Sequence, residues 1–260
     1  TSAIIKQVLA EDYGYSGPDL FLPPCVDTER YHPRQVAGDD EVWTFLGEHC
    51  GLVPADVRRC KIVTEISRTD TTKRKDVLIR AFAQAHRQVP DSLLLVSIDD
   101  NQPGLAQDLR QLIRDLDIQS HVAIVGSVWE WLPRLYAVTS VYCTPSVMEG
   151  FGMSAQEAAA TRVPVVASHL VPYVTGYLLG SDAQAVAFDD DHEPLQVGSG
   201  AIVVPADDVE GFARALEMLL TNDDLRRSMG QSAYQITVPY FTWENMVALF
   251  VQALNLDPGD

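Results

Sequence analysis

The sequence predicts an α/β fold, a Rossmann-like doubly wound parallel sheet, and three observations carry that prediction. Between residues 61 and 204, short β-branched or apolar runs alternate with longer stretches of helical period, the pattern of β-α-β units. The runs are apolar nearly throughout rather than alternating, as expected of strands covered by helices on both faces. With 260 residues and 47% hydrophobic content, there is material for one large domain, or a domain with a small appendage.

Strands are expected at 61–66 (KIVTEI), 93–98 (LLLVSI), 121–125 (HVAIV), 139–143 (TSVYC), 163–167 (VPVVA) and 201–204 (AIVV). Helices are expected between them near 72–88, 104–117, 129–137 and 152–161, and after them near 208–220, 222–236 and 243–254. Residues 1–50 stand outside this repeat. A short helical start leads into a stretch where Pro18, Pro23, Pro24 and Pro33 favour an extended linker. The segment 175–200, with DDDHEP in its middle, reads as a solvated surface excursion.

Charge and cysteine usage exclude several classes. Against 19 Lys+Arg stand 36 Asp+Glu, a formal net charge of -17. That field repels polyanions, so nucleic acid is not an expected partner. The four cysteines form no C-x-x-C pair, and reduced thiols in a cytoplasmic protein are the default expectation. No apolar run approaches the length of a membrane span, and no signal-peptide pattern opens the chain. There is no G-x-G-x-x-G after a strand, no P-loop and no G-x-S-x-G elbow. The histidines lack metal-ligand spacing, so no metal site is expected, and Trp129 and Trp131 read as packing residues.

Two constellations carry chemistry. Ser67-Arg68 closes the first strand, and Lys73, Arg74 and Lys75 stand where a helix begins; with Arg80, five of the 19 basic residues lie between 68 and 80. Cations at a helix N-terminus oppose the macrodipole unless an anion sits among them. The carboxyl end of a parallel strand is where such folds bind ligands, although a solvated basic face accounts for these residues equally well. The second constellation runs from Pro145 to Glu157, P-S-V-M-E-G-F-G-M-S-A-Q-E. Gly150 and Gly152 allow close backbone approach, and the N–H groups opening the next helix suit a phosphate. Glu149 and Glu157 can accept bonds from sugar hydroxyls.

The stretch P-S-x-x-E-G-F-G-x-x-x-x-E-A-A-A-x-x-V-P-V-V-A-S resembles the signature of the family-4 retaining glycosyltransferases, which include sucrose-phosphate synthases. PPCVDTERYHP is similar to that family's interdomain linker, with Cys25 at a usual glycine. ISRTDTTKRKDVLIRAFAQ resembles its S-R-x-x-x-x-K segment, and YFTWENM its final crossover helix. The resemblance implies the C-terminal half of a GT-B enzyme. Residues 1–35 then end an N-terminal domain and form the linker, 36–238 form the nucleotide-sugar-binding Rossmann-like domain, and 239–260 form the crossover helix. The acceptor-side domain is expected to be missing, so the chain alone is expected to transfer no sugar.

The resemblance assigns roles residue by residue. Arg68 and Lys73 match the pair that neutralises the donor diphosphate, and Glu149 the acidic residue at the donor sugar. Glu157 matches the residue that holds the ribose. Gly150 and the N–H groups of Phe151, Gly152 and Met153, with Ser154, match the sugar and phosphate contacts, and Val125 and Gly126 lie where the base packs. The donor is expected to be a UDP-, GDP- or ADP-sugar and the acceptor a sugar or sugar phosphate, with no cofactor. Two departures stand out: the family's glycine-rich loop after VVAS reads HLVPYV, and Ser97 replaces a glycine in LLLVSIDD. The alternatives are another GT-B enzyme, an epimerase or phosphorylase, or a non-catalytic module that binds a nucleotide sugar or a partner. The final segment is expected to expose Phe241, Trp243, Met246 and Phe250.

Overall fold

A computed structural model describes residues 3–17, 22–189 and 192–254. Pro18 of the linker and two aspartates of DDDHEP lie outside the described residues, as do the last six positions of the crossover segment. One eight-stranded sheet organises the chain: β1 (Lys61–Glu65), β2 (Ser92–Ser97), β3 (Val122–Val125), β4 (Thr139–Thr144), β5 (Val165–Ser168), β6 (Gln184–Val186), β7 (Leu195–Val197) and β8 (Ala201–Val204). The order is β3-β2-β1-β4-β5-β8-β7-β6. From β3 to β8 every pairing is parallel, with Lys61 beside Ser92 and Val165 beside Ala201.

The helices are α1 (Ala3–Glu11), α2 (Glu41–Cys50), α3 (Pro54–Val57), α4 (Lys75–Gln88), α5 (Pro103–Asp115), α6 (Leu132–Val138), α7 (Met153–Ala160), α8 (Val209–Thr221), α9 (Asp223–Tyr240) and α10 (Trp243–Ala253). Of these, α2, α6 and α7 on one side and α4, α5 and α8 on the other bury the sheet, which is why its strands read as continuous apolar runs. One core takes Ile62, Leu93, Leu95, Tyr142, Val165 and Val203 together with residues of α2, α6 and α7. The other takes Val63, Leu94, Val96, Cys143, Val166 and Ile202 together with residues of α4, α5 and α8. Successive strand residues thus feed opposite cores.

The structure corrects the reading of four segments. The 175–200 excursion begins with a π-helical turn, Val174–Leu178, and then forms the β6–β7 hairpin, which adds antiparallel to β8. Residues 41–50, which stand outside the strand–helix repeat and for which no element is expected, form α2, with the Asp40 side chain accepting from Val42 N and Val42, Leu46 and Cys50 buried. The helix expected from 72 is split: a 3-10 turn, Thr71–Lys73, ends at Arg74, whose φ of 48° is left-handed, and α4 starts after it. At the C-terminus, Phe241 and Met246 are buried rather than exposed, Phe241 within an aromatic cluster with Phe151, Tyr173 and Tyr177. Trp243 and Phe250 are exposed as expected. Among the described residues no helix is long and apolar enough to cross a membrane.

Candidate functional site

The chain leaves β1 toward β2 and β3 on one side of the sheet and toward β4 and β5 on the other. The carboxyl ends of β1 and β4 therefore flank a topological switch point, the crevice in which open α/β sheets bind ligands. Both constellations open here, Ser67-Arg68 after β1 and Pro145 to Glu157 after β4.

Hydrogen bonds draw the two loops together. Val147 N donates to the Thr72 carbonyl at 2.8 Å, and Ser146 Oγ to the same oxygen at 3.1 Å. Lys73 and Glu149 therefore meet, with Nζ 2.5 Å from Oε1 and side chains 10% and 19% exposed. Arg68 is exposed at the rim of this loop. Asp70, whose side chain caps the 3-10 turn through Thr72, has its carboxyl held below the usual range by those bonds first, and then by the charges of Arg68 and Lys73.

The basic cluster is less uniform than its sequence reads. Lys75 is buried against Glu65, and Arg74 pairs with Asp76 and Asp207. Lys73, Arg74 and Lys75 thus each face one of the protein's own carboxylates, Glu149 of the crevice loop in the case of Lys73, while Arg68 is exposed.

Gly152 caps α7 with φ 110° and ψ 47°, and no side chain caps the helix. Its opening N–H groups, around Phe151, Gly152 and Met153, lack intrahelical acceptors. Gly150 has open space around it, while the Phe151 ring packs inward and its carbonyl accepts from Tyr173 N. Tyr142 of β4 lies within reach of the charges of both Glu149 and Glu157. Burial pushes its phenol well up, the charges of Glu65, Glu149 and Glu157 add to this, and a hydrogen bond with Ser154 opposes it. Val125 is buried and Gly126 exposed, so at the end of β3 what faces outward is backbone.

Glu157 lies on the inner side of α7, where Tyr136 OH donates to Oε2 at 3.2 Å. Burial raises its carboxyl to about 7 from the ordinary 4.5, against the Tyr136 bond and the nearby Arg30 charge. Tyr31, from the linker, stacks edge-on against Tyr136 at 5.8 Å. Burial, then the Glu157 charge, pushes its phenol up to about 12. The native state keeps on Glu157 a proton that the unfolded chain gives up between pH 4.5 and 7. Its contribution to stability is therefore complete below pH 4.5 and is lost as the pH rises through 7. Glu157→Gln, neutral throughout, is expected to be more stable than the wild type at pH 8 by about 1–2 kcal/mol, with the two converging at pH 4. Denaturant titrations at both pH values check this.

The model of the family described as "Glycosyl transferases group 1" matches residues 58–236, more than half of the chain. The chain belongs to this family. A GDP-mannose-dependent alpha-(1-6)-phosphatidylinositol monomannoside mannosyltransferase of Mycolicibacterium smegmatis is 28% identical over 98% of the chain and 60% of its own length. The fold is similar to that of a glycosyltransferase from Rickettsia africae, with TM-score 0.75 and 18% identity over 97% of this chain and 61% of that one. It is also similar to a sucrose-phosphate synthase from Thermosynechococcus elongatus, with TM-score 0.72 and 19% identity over 98% and 57%. The chain thus spans about 60% of the length of the mannosyltransferase it matches, and its fold is that of the GT-B glycosyltransferases.

For a group 1 glycosyltransferase, the sequence reading missed the residues packed around Glu157. Tyr31 lies in the linker, and its buried hydroxyl sits beside the Glu157 carboxyl and the Arg30 guanidinium. Tyr136 lies in α6, which reads from sequence as an ordinary amphipathic helix. Trp131 behaves as a packing residue, stacked on Phe45 at 4.4 Å, whereas Trp129 is exposed, with the Arg30 guanidinium 4.0 Å from its ring.

Proposed function

We propose that this chain binds a nucleoside-diphosphate hexose and, together with an acceptor-side domain, transfers the hexose to an acceptor hydroxyl with retention of anomeric configuration. What carries this reading is the meeting, at the sheet's switch point, of the Arg68–Lys73 loop with the uncapped N-terminus of α7. As the bond to the nucleotide breaks, negative charge grows on the leaving diphosphate and positive charge on the sugar ring. Arg68, Lys73 and the N–H groups of Phe151, Gly152 and Met153 stabilise the former. Gly150, Ser154 and Glu149 face the sugar, Glu157 takes the ribose hydroxyls, and the base lies over Val125 and Gly126. No step in this scheme calls for a metal ion. In this reading, residues 36–238 are the donor domain, and α1 with the exposed face of α10, Trp243, Val247 and Phe250, meets the acceptor-side domain.

Calorimetric titration with GDP-mannose, UDP-glucose and ADP-glucose, each beside its free nucleoside, tests the reading. One diphosphate sugar is expected to bind and its nucleoside to bind far more weakly. Equal affinity for a nucleoside and its diphosphate sugar would remove Arg68, Lys73 and the α7 N-terminus from the site.

A further inference from the structure

Beneath Arg68 lies an ion pair that the donor scheme does not use. Glu65 ends β1, Lys75 opens α4, and their side chains are 0% and 1% exposed. Lys75 Nζ stands 2.6 Å from Glu65 Oε2, 2.7 Å from the Ser97 carbonyl, 3.0 Å from Ser97 Oγ and 3.0 Å from the Ser67 carbonyl. An ammonium has three N–H groups, so four acceptors saturate it. Glu65 Oε1, by contrast, is buried without a hydrogen-bond partner. Taking two charges out of water is expensive, and an apolar pair of similar volume commonly packs as well or better. Stability alone therefore does not account for the pair.

Its other bonds do. Each of the remaining contacts of Lys75 reaches the Ser67 backbone, directly or through Ser97. Ser97 Oγ donates to the Ser67 carbonyl at 2.5 Å and accepts from Ser67 N at 3.0 Å. Two residues on, Thr69 Oγ1 accepts from Asp99 N at 2.8 Å, and Thr69 N donates to Asp99 Oδ2 at 3.4 Å. The backbone on both sides of Arg68 is thereby tied to the end of β2, although the Arg68 side chain itself is exposed. A glycine in place of Ser97 could make none of the hydroxyl bonds.

We propose that Glu65, Lys75 and Ser97 form a buried positioning node that fixes the backbone of residues 67–69 and so holds the Arg68 guanidinium at the donor diphosphate. None of the three touches the donor. The inference rests on the reading of Arg68 as a diphosphate ligand. An oriented cation gives up less side-chain freedom when it binds, and the node transmits that orientation from the sheet to an exposed residue.

The test uses the full chain, with GDP and UDP as probes. Glu65→Leu/Lys75→Met removes both charges at similar volume, whereas either replacement alone strands a buried charge. Four proteins are titrated: wild type, Arg68→Ala, the double variant, and the double variant carrying Arg68→Ala. The double variant is expected to melt at or above the wild-type temperature and to lose hydrogen-exchange protection at Ser67 and Thr69. Its affinity for the diphosphate is expected to fall about tenfold, the size of one charge-assisted bond, with no further loss in the Arg68→Ala background. Ser97→Gly should act in the same direction, more weakly, and serves if the double variant does not fold. Wild-type affinity in the double variant, with Arg68→Ala weakened, overturns the node alone. An equal loss with and without Arg68 shows that the pair acts elsewhere and overturns it too. An inert Arg68→Ala, or a wild type that binds neither probe, overturns the donor-site reading and the node with it.

Discussion

Lys73→Met is expected to weaken the binding of a nucleotide sugar roughly 100-fold, the loss of about two charge-assisted hydrogen bonds. The Lys73 ammonium lies 2.5 Å from Glu149 Oε1, so this carboxylate shares the cation that the proposed donor diphosphate would engage. The variant also leaves Glu149, with a side chain only 19% exposed, without its counter-charge, at a cost to stability of about 2 kcal/mol. Lys73→Met/Glu149→Gln separates the two effects, because it should restore the melting temperature without restoring binding. Glu149→Gln by itself should bind bare GDP or UDP as well as the wild type or more tightly, since the ammonium is no longer shared and no carboxylate faces the incoming anion. Calorimetry on the four proteins checks these signs. If Glu149→Gln weakened the bare diphosphate as strongly as Lys73→Met does, Glu149 would be a support for Lys73 rather than a group facing the sugar.

Gly152→Ala is expected to cost about 2–3 kcal/mol of stability and to weaken the diphosphate at least about tenfold. The residue sits at φ 110°, where side chains are strained, and a Cβ there would stand 2.7 Å from Val171 Cγ1 and 3.5 Å from Tyr173 Cβ. Relief requires the start of α7 to shift, which turns the N–H groups of Phe151, Gly152 and Met153 away from the crevice. Val171→Ala opens space but leaves the backbone strain, so adding it should recover only part of the stability. Thermal melts and titrations read both effects, and a Gly152→Ala variant with unchanged melting and binding contradicts them.

The strands of the parallel sheet were legible because each is buried on both faces, so apolar runs such as LLLV and AIVV mark them within a residue or two. The run expected at 163–167 shifts to Val165–Ser168, since Pro164 cannot donate to a ladder. β6 and β7 were not legible: each is three residues long, β6 is largely exposed, and both depend on the edge offered by β8. α2 does carry a signal, with Asp40 as cap and Val42, Leu46 and Cys50 four residues apart, but it stands before the first strand, outside the β-α repeat that marks the other helices. That Lys73 and Glu149, 76 positions apart, share one cleft was legible because each follows a β-α junction at the carboxyl end of a parallel strand; their ion pair was not. Lys75 could not be told from its neighbours in the basic run, because nothing local shows that Glu65 and Ser97 lie beneath it.

The most direct test of the central claim, that the switch-point crevice is a nucleotide-sugar donor site, is a crystal structure of the chain with GDP or UDP bound. The account predicts diphosphate oxygens within hydrogen-bonding distance of Arg68, Lys73 Nζ and the N–H groups opening α7. It also predicts ribose hydroxyls on Glu157, and Glu149 released from Lys73. A nucleotide bound elsewhere on the sheet, or one in this crevice with its ribose away from Glu157 and the Lys73–Glu149 pair intact, would contradict it.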